Sequence, residues 1–222
     1  MAEREHEPDP GVGRVPASAR GLVAGRVVAA FLGFSALVTE VATLLAQHRF
    51  HGGNFFSYFT VEANTLAVIS LVVSAFATAT RSTRRGLDLY RGAVTLYMTT
   101  TILVFIVLLS GYSSSELTAV PWDNTVLHYV MPIIVIIDWL VAPPARAVAY
   151  RSALVWLAVP LAYLVYSLIR GHSVHWYPYP FVNPSQHGYL GVAVTSAVIA
   201  VILAALIWVI ANTPRLPLPR ST

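Results

Sequence analysis

Polar and apolar positions in this chain separate on the scale of whole segments. After a polar opening, six apolar stretches run at about 22–47, 57–80, 89–111, 124–143, 150–169 and 187–211. Each approaches or exceeds the roughly twenty residues that a helix needs to cross ~30 Å of hydrocarbon. Open strands are excluded there, because lipid offers no partner for unpaired backbone groups. The pattern predicts an all-α polytopic membrane protein, a six-transmembrane-helix bundle. Residues 1–20 are polar, mixed in charge and rich in Pro and Gly, which predicts a disordered tail. The transmembrane domain is placed at 21–212 and a second short tail at 213–222. The first apolar stretch is too long for a signal peptide and lacks a small-residue cleavage site.

The fourth stretch breaks the apolar pattern most sharply. In DNTVLHYVMPIIVIIDWLVAPP (123–144) an amide, an imidazole, a proline and a carboxylate interrupt the run. A charge at mid-span costs roughly 2.5–3.5 kcal/mol on insertion scales, so such groups face protein or water and commonly mark function. Asn124, His128, Met131, Val135 and Asp138 are spaced four, three, four, three, the seam by which one helix packs on its neighbours. Thr60, Asn64, Ala67, Leu71 and Ser74 in the second stretch repeat that spacing. Thr60 and His128 each lie within one or two turns of the same membrane boundary, where their side chains can meet. Glu62 points elsewhere, toward an outer His or Arg49, and Glu40 approaches the same pole from the first stretch.

Charge sets the orientation. All fourteen basic residues are arginine, twelve of them at one set of helix ends: Arg4, Arg14, Arg20, Arg26, Arg81, Arg84, Arg85, Arg91, Arg146, Arg151, Arg215 and Arg220. Only Arg49 and Arg170 lie at the other. The positive-inside rule then makes both termini cytoplasmic. Tyr58, Tyr112, Trp122, Tyr129, Trp176 and Tyr177 crowd the outer boundary, and six of the seven histidines gather there, all but His6. Arginines beside apolar spans set topology, so no nucleic-acid partner is expected. Arginine without lysine, amid abundant Ala and Val, points to a bacterial protein and so to the plasma membrane.

Several chemistries lack their signatures. The absence of cysteine removes disulfides and thiolate metal sites. No HExxH, P-loop, dinucleotide fingerprint or Gly-x-Ser-x-Gly occurs. His172 and His175, with His187 nearby, sit in an irregular proline-rich loop, and neither a metal nor another cofactor is expected. Thr60 can instead bond the carbonyl four residues back, and His128 can make a plain interhelical hydrogen bond. Asp138 can be an interfacial carboxylate paired with Arg84 or Arg146.

Three segments, FFSYFTVEANTL (55–66), NTVLHYVMPIIVIIDWL (124–140) and HWYPYPF (175–181), occur in a familiar order. They resemble bacterial six-span membrane proteins similar to the eukaryotic androgen-induced and androgen-dependent membrane proteins, threonine hydrolases that cleave fatty acid esters of hydroxy fatty acids. The resemblance spans stretches two to six. It implies that Thr60 is the nucleophile and His128 its base, acting on a lipid-like ester at the outer leaflet among membrane lipids. It also matches Trp176, Tyr177 and Pro178, with His175 before them, to an outer-loop element that would cover the substrate. The family's acidic residue after the histidine is usually glutamate; here it is Asp138. Asn64 and Asn124 are the candidate oxyanion donors, and Glu40 or Asp123 the candidates to orient the second nitrogen of His128. Asp138 lies about 15 Å further along the helix, too far for that task. Two other functions fit the same residues. One is a proton-linked permease using Glu40, Glu62, His128 and Asp138; the other is a non-catalytic lipid-binding subunit. The oligomeric state is left open.

Overall fold

The structure, a computed structural model, describes residues 16–82, 84–109, 111, 119–144 and 147–213. Among these described residues six helices are long and apolar enough to cross a membrane: α1 (Ala17–Ala46), α2 (Phe59–Ala79), α3 (Arg85–Leu109), α4 (Pro121–Val141), α5 (Tyr150–Val174) and α6 (Pro184–Asn212). Among the described residues all regular structure is helical. The chain is an all-α, multi-pass integral membrane protein. Most of the tail expected at 1–20, and all but Thr213 of that at 213–222, lies outside the described residues. So do Arg4, His6, Arg14, Tyr112, Arg146, Arg215 and Arg220.

Helix ends depart from the apolar runs for a physical reason. Hydropathy registers contact with hydrocarbon, whereas a helix continues for as long as its backbone bonds do. Thus α1 begins at Ala17, inside the stretch expected to be tail, because Ala17, Ala19 and Arg20 are good helix formers. Likewise α5 continues through Arg170 and His172 until His175 turns to φ 54°. Asn183 starts α6, its side-chain oxygen accepting the Ser185 N–H at 2.9 Å. Gly188 then kinks that helix at φ 66°, a conformation most side chains resist.

Small residues let the helices close. Ala29, Ala30 and Ala36 of α1 join Ala63 and Ala67 of α2 in the main core, a contact type that favours association in lipid. Trp156 of α5 lies fully buried over Gly92 of α3, where any Cβ would overlap the indole. Gly92→Ala should therefore destabilise the bundle by about 1–3 kcal/mol, the range for overpacking. A lower melting temperature of the solubilised protein would show it; an unchanged one would mean that the indole moves aside freely.

Pro132 and Pro160, in helix interiors, are both answered from a neighbouring helix. Pro160 has no N–H for the Trp156 carbonyl four residues back, and Tyr97 O–H donates to that oxygen at 3.0 Å. Pro132 leaves a similar gap in α4, which passes through a π-helical turn at Val126–Val130. There Asn64 Nδ2 donates to the Leu127 carbonyl at 3.0 Å. Satisfying freed carbonyls in this way is what permits proline inside a membrane helix.

At the arginine-rich end, α1 to α4 meet in an ionic knot. Asp138 accepts from Arg26 Nε (2.6 Å) and Nη2 (3.2 Å) and from Arg91 Nη2 (2.9 Å). Arg26 Nη1 also reaches the Ser74 carbonyl at 3.0 Å and Thr78 Oγ1 at 2.6 Å. This corrects the expected pairing of Asp138 with Arg84. Arg26 and Arg91 project from helix interiors at the level of Asp138, while Arg84 precedes α3. Arg146, the other expected partner, lies outside the described residues.

Candidate active site

At the opposite end, Thr60 and His128 meet. Thr60 is the second residue of α2, so the residue four back lies outside the helix and offers no in-register carbonyl. The contrast with other threonines is direct. Thr65, Thr95, Thr99, Thr100 and Thr101 all return their hydroxyls to carbonyls four residues back. Thr60 Oγ1 instead lies 3.3 Å from His128 Nε2 and 3.3 Å from the Tyr179 hydroxyl. All three side chains are buried.

The histidine's other contact assigns its protons. His128 Nδ1 lies 3.0 Å from the Asn124 carbonyl, which can only accept, so Nδ1 carries hydrogen. A neutral ring protonated there presents a lone pair at Nε2, and Thr60 O–H donates to it. Phe105 stacks on the imidazole with centroids 4.2 Å apart and holds its plane. The orienting group is therefore a carbonyl of the same helix, not Glu40 or Asp123. Both Glu40 oxygens accept the Ala119 N–H at 2.9 Å, pinning the segment that leads into α4.

The asparagines do other work than expected. Asn64 Nδ2 gives its two hydrogens to the Thr60 carbonyl (2.9 Å) and the Leu127 carbonyl (3.0 Å), so none remains for an oxyanion. It staples the turn of Thr60 to the turn of His128. The Asn124 side chain lines neither of the two clefts described next. Asp138 belongs to the ionic knot at the far end of α4. Glu62 is half-buried and joins none of the described ion pairs, while Arg49 meets Gln47 Oε1 at 3.4 Å.

Thr60, His128 and Tyr179 stand between two clefts. One, of about 110 Å³ and almost wholly apolar, is walled by Phe59, Val104, Leu161, Leu164 and Leu203, and Leu161 itself is exposed on the flank of α5. The other, of about 320 Å³, is far more polar and is lined by Glu40, Arg49, His51, Asn54 and Trp176. Arg49 and His51 are exposed at its mouth. Thr60, His128 and Tyr179 thus line both an apolar slot and a polar vestibule.

Of the four residues expected to cover the site, only Trp176 lines a cleft. It packs edge-on against Tyr58 at 5.6 Å and lies 5.1 Å under the Arg170 guanidinium. Tyr177 packs on Gly171, Pro178 is buried away from both clefts, and His175 is exposed at the end of α5. His172, His175 and His187 are all exposed, and no three His, Cys, Asp or Glu side chains among the described residues gather as a metal site. Tyr179, one residue beyond the expected element, is the member that enters the site. It sits in an aperiodic proline-rich loop, and only the HWYPYPF resemblance pointed near it. Phe181 stacks parallel to its ring at 5.2 Å and Tyr58 meets it edge-on at 5.7 Å. Burial pushes the Tyr179 phenol up to about 12, so it keeps its proton at neutral pH.

Compared with protein-family models, curated proteins and solved structures, the chain matches none. Fold and site together define a six-span integral membrane protein with a buried Thr–His–Tyr cluster between an apolar and a polar cleft.

Proposed function

We propose that the protein is an intramembrane threonine hydrolase of lipid acyl esters, working at the outer leaflet of a bacterial plasma membrane with both termini cytoplasmic. One observation carries this: a threonine hydroxyl freed from its own helix and hydrogen-bonded to a histidine lone pair whose other nitrogen is anchored. The resemblance to the androgen-induced and androgen-dependent membrane hydrolases, read from short motifs, supports the same pair. So do the clefts, since an acyl chain suits an apolar slot open to lipid and a polar product suits the vestibule.

Thr60 Oγ attacks the ester carbonyl carbon as its proton passes to His128 Nε2. The intermediate collapses, the alkoxide leaves with the proton from Nε2, and an acyl-threonine remains. Water from the vestibule, deprotonated by the same nitrogen, then releases the fatty acid and restores the hydroxyl. A hydrogen bond of 3.3 Å is long for proton transfer, but such bonds tighten once substrate is bound.

In proteoliposomes, wild-type protein should hydrolyse a long-chain p-nitrophenyl ester. Thr60→Ala should not, while Thr60→Ser should retain measurable turnover. Equal rates for Thr60→Ala and wild type would remove the nucleophile. A permease built on Glu40, Glu62, His128 and Asp138 finds no support in the geometry: Asp138 is held by two arginines, Glu40 by a backbone N–H, and none of the described hydrogen bonds joins the four.

A further inference from the structure

The hydrolysis proposed above leaves a negative charge on the former carbonyl oxygen, and neither asparagine can receive it. The groups around Thr60 form a directional chain. Thr60 N–H, free of any helical acceptor in the first turn, donates to the Tyr179 oxygen at 3.3 Å. Tyr179 O–H can then donate to Thr60 Oγ1, and Thr60 O–H to His128 Nε2. An ester carbonyl attacked by Oγ1 places its oxygen about 2.4 Å from Oγ1, by ordinary tetrahedral geometry. A donor 3.3 Å from Oγ1 on that side lies within reach of the roughly 2.7–3.1 Å contact that such an oxygen requires. Tyr179 also borders both clefts, as Thr60 and His128 do.

We propose that Tyr179 is a catalytic residue, its hydroxyl the oxyanion donor of this site, held in place by the Thr60 N–H that donates to its oxygen. During attack the new C–O bond forms, the carbonyl π pair moves onto oxygen, and the Thr60 proton goes to His128. Tyr179 keeps its proton and donates a hydrogen bond to the oxyanion. When the carbonyl re-forms, the alkyl C–O bond breaks and the alkoxide leaves with the proton held by His128. Tyr179 then returns to Thr60. The stacked Phe181 and the edge-on Tyr58 fix the ring, so Tyr179→Phe keeps the packing and removes the hydroxyl, with the acceptor it gives the Thr60 N–H.

The inference rests on the hydrolase assignment, and the test separates the two. Rates on the long-chain p-nitrophenyl ester are measured in proteoliposomes for wild type, Thr60→Ala, Tyr179→Phe and Phe181→Leu, the last loosening the stack while keeping the hydroxyl. Tyr179→Phe should lower kcat by about 10²–10³-fold with KM nearly unchanged, as for loss of one oxyanion donor. Phe181→Leu should lose far less. Binding adds a second readout: wild type should prefer a long-chain trifluoromethyl ketone, which forms an oxyanion with Thr60, over the matching methyl ketone, and Tyr179→Phe should lose that preference. Active wild type with inactive Thr60→Ala, but Tyr179→Phe within about threefold of wild type, would overturn the role of Tyr179 and leave the hydrolase standing. Equal losses in Tyr179→Phe and Phe181→Leu, with the ketone preference kept in both, would reduce Tyr179 to packing. Inactive wild type would overturn both.

Discussion

His128→Ala is expected to cut turnover of a lipid ester by about 10³-fold or more, since a threonine hydroxyl without a base is a poor nucleophile. The loss should fall on kcat. His128 lies between the clefts but contributes little of the apolar wall that would hold an acyl chain. A second variant separates the proton-transfer role from packing. His128→Gln keeps a polar group stacked near Phe105 yet supplies no imidazole lone pair, and it should be nearly as inactive as alanine. Rates within tenfold of wild type in both variants would leave the Thr60–His128 hydrogen bond a purely structural tie.

The largest effect on stability is expected at the other end of the bundle. Asp138→Ala would leave the almost fully buried Arg26 guanidinium without its counter-ion, and the Arg91 guanidinium with only Asp88, 3.9 Å from its Nη1. Breaking one side of a buried ion pair costs about 3–5 kcal/mol, much of it the penalty on the orphaned charge. The loss should appear as a lower midpoint in thermal or denaturant unfolding of the solubilised protein. The triple change R26M/D138M/R91M removes the three buried charges, leaving only the part-exposed Asp88, and should recover most of the loss, because apolar replacements of buried ionic triads are often neutral or better. If Asp138→Ala unfolds at the wild-type midpoint, the knot contributes nothing net. If the triple variant is worse still, packing rather than charge dominates there.

The helices and the meeting of Thr60 with His128 were legible in the sequence for simple reasons. Apolar runs of about twenty residues leave few alternatives in lipid. Depth from a shared boundary, together with four–three spacing, put the alcohol and the imidazole on facing sides at one level. The partners of the remaining polar groups were not legible. Asn64 looked like a free amide, because nothing local says that Pro132 leaves a carbonyl in α4 for it to satisfy. Arg26 and Arg91 looked like topology markers, since the positive-inside count treats every arginine alike whether it ends in water or on a carboxylate. Glu40 seemed free to reach the histidine, but the backbone N–H that takes it belongs to Ala119, in a segment without periodicity. Tyr179 was missed for a similar reason: a proline-rich loop has no period from which to read which aromatic ring turns inward.

The proposed hydrolysis depends on Thr60 being a nucleophile poised by His128 at the boundary between lipid and water. Mass spectrometry of the protein after treatment with a long-chain fluorophosphonate tests this most directly. The predicted result is a single adduct on the peptide carrying Thr60, formed by wild type and by neither Thr60→Ala nor His128→Ala. An unmodified Thr60 peptide under conditions that label a known serine or threonine hydrolase, or an adduct that persists at another residue in Thr60→Ala, would contradict it.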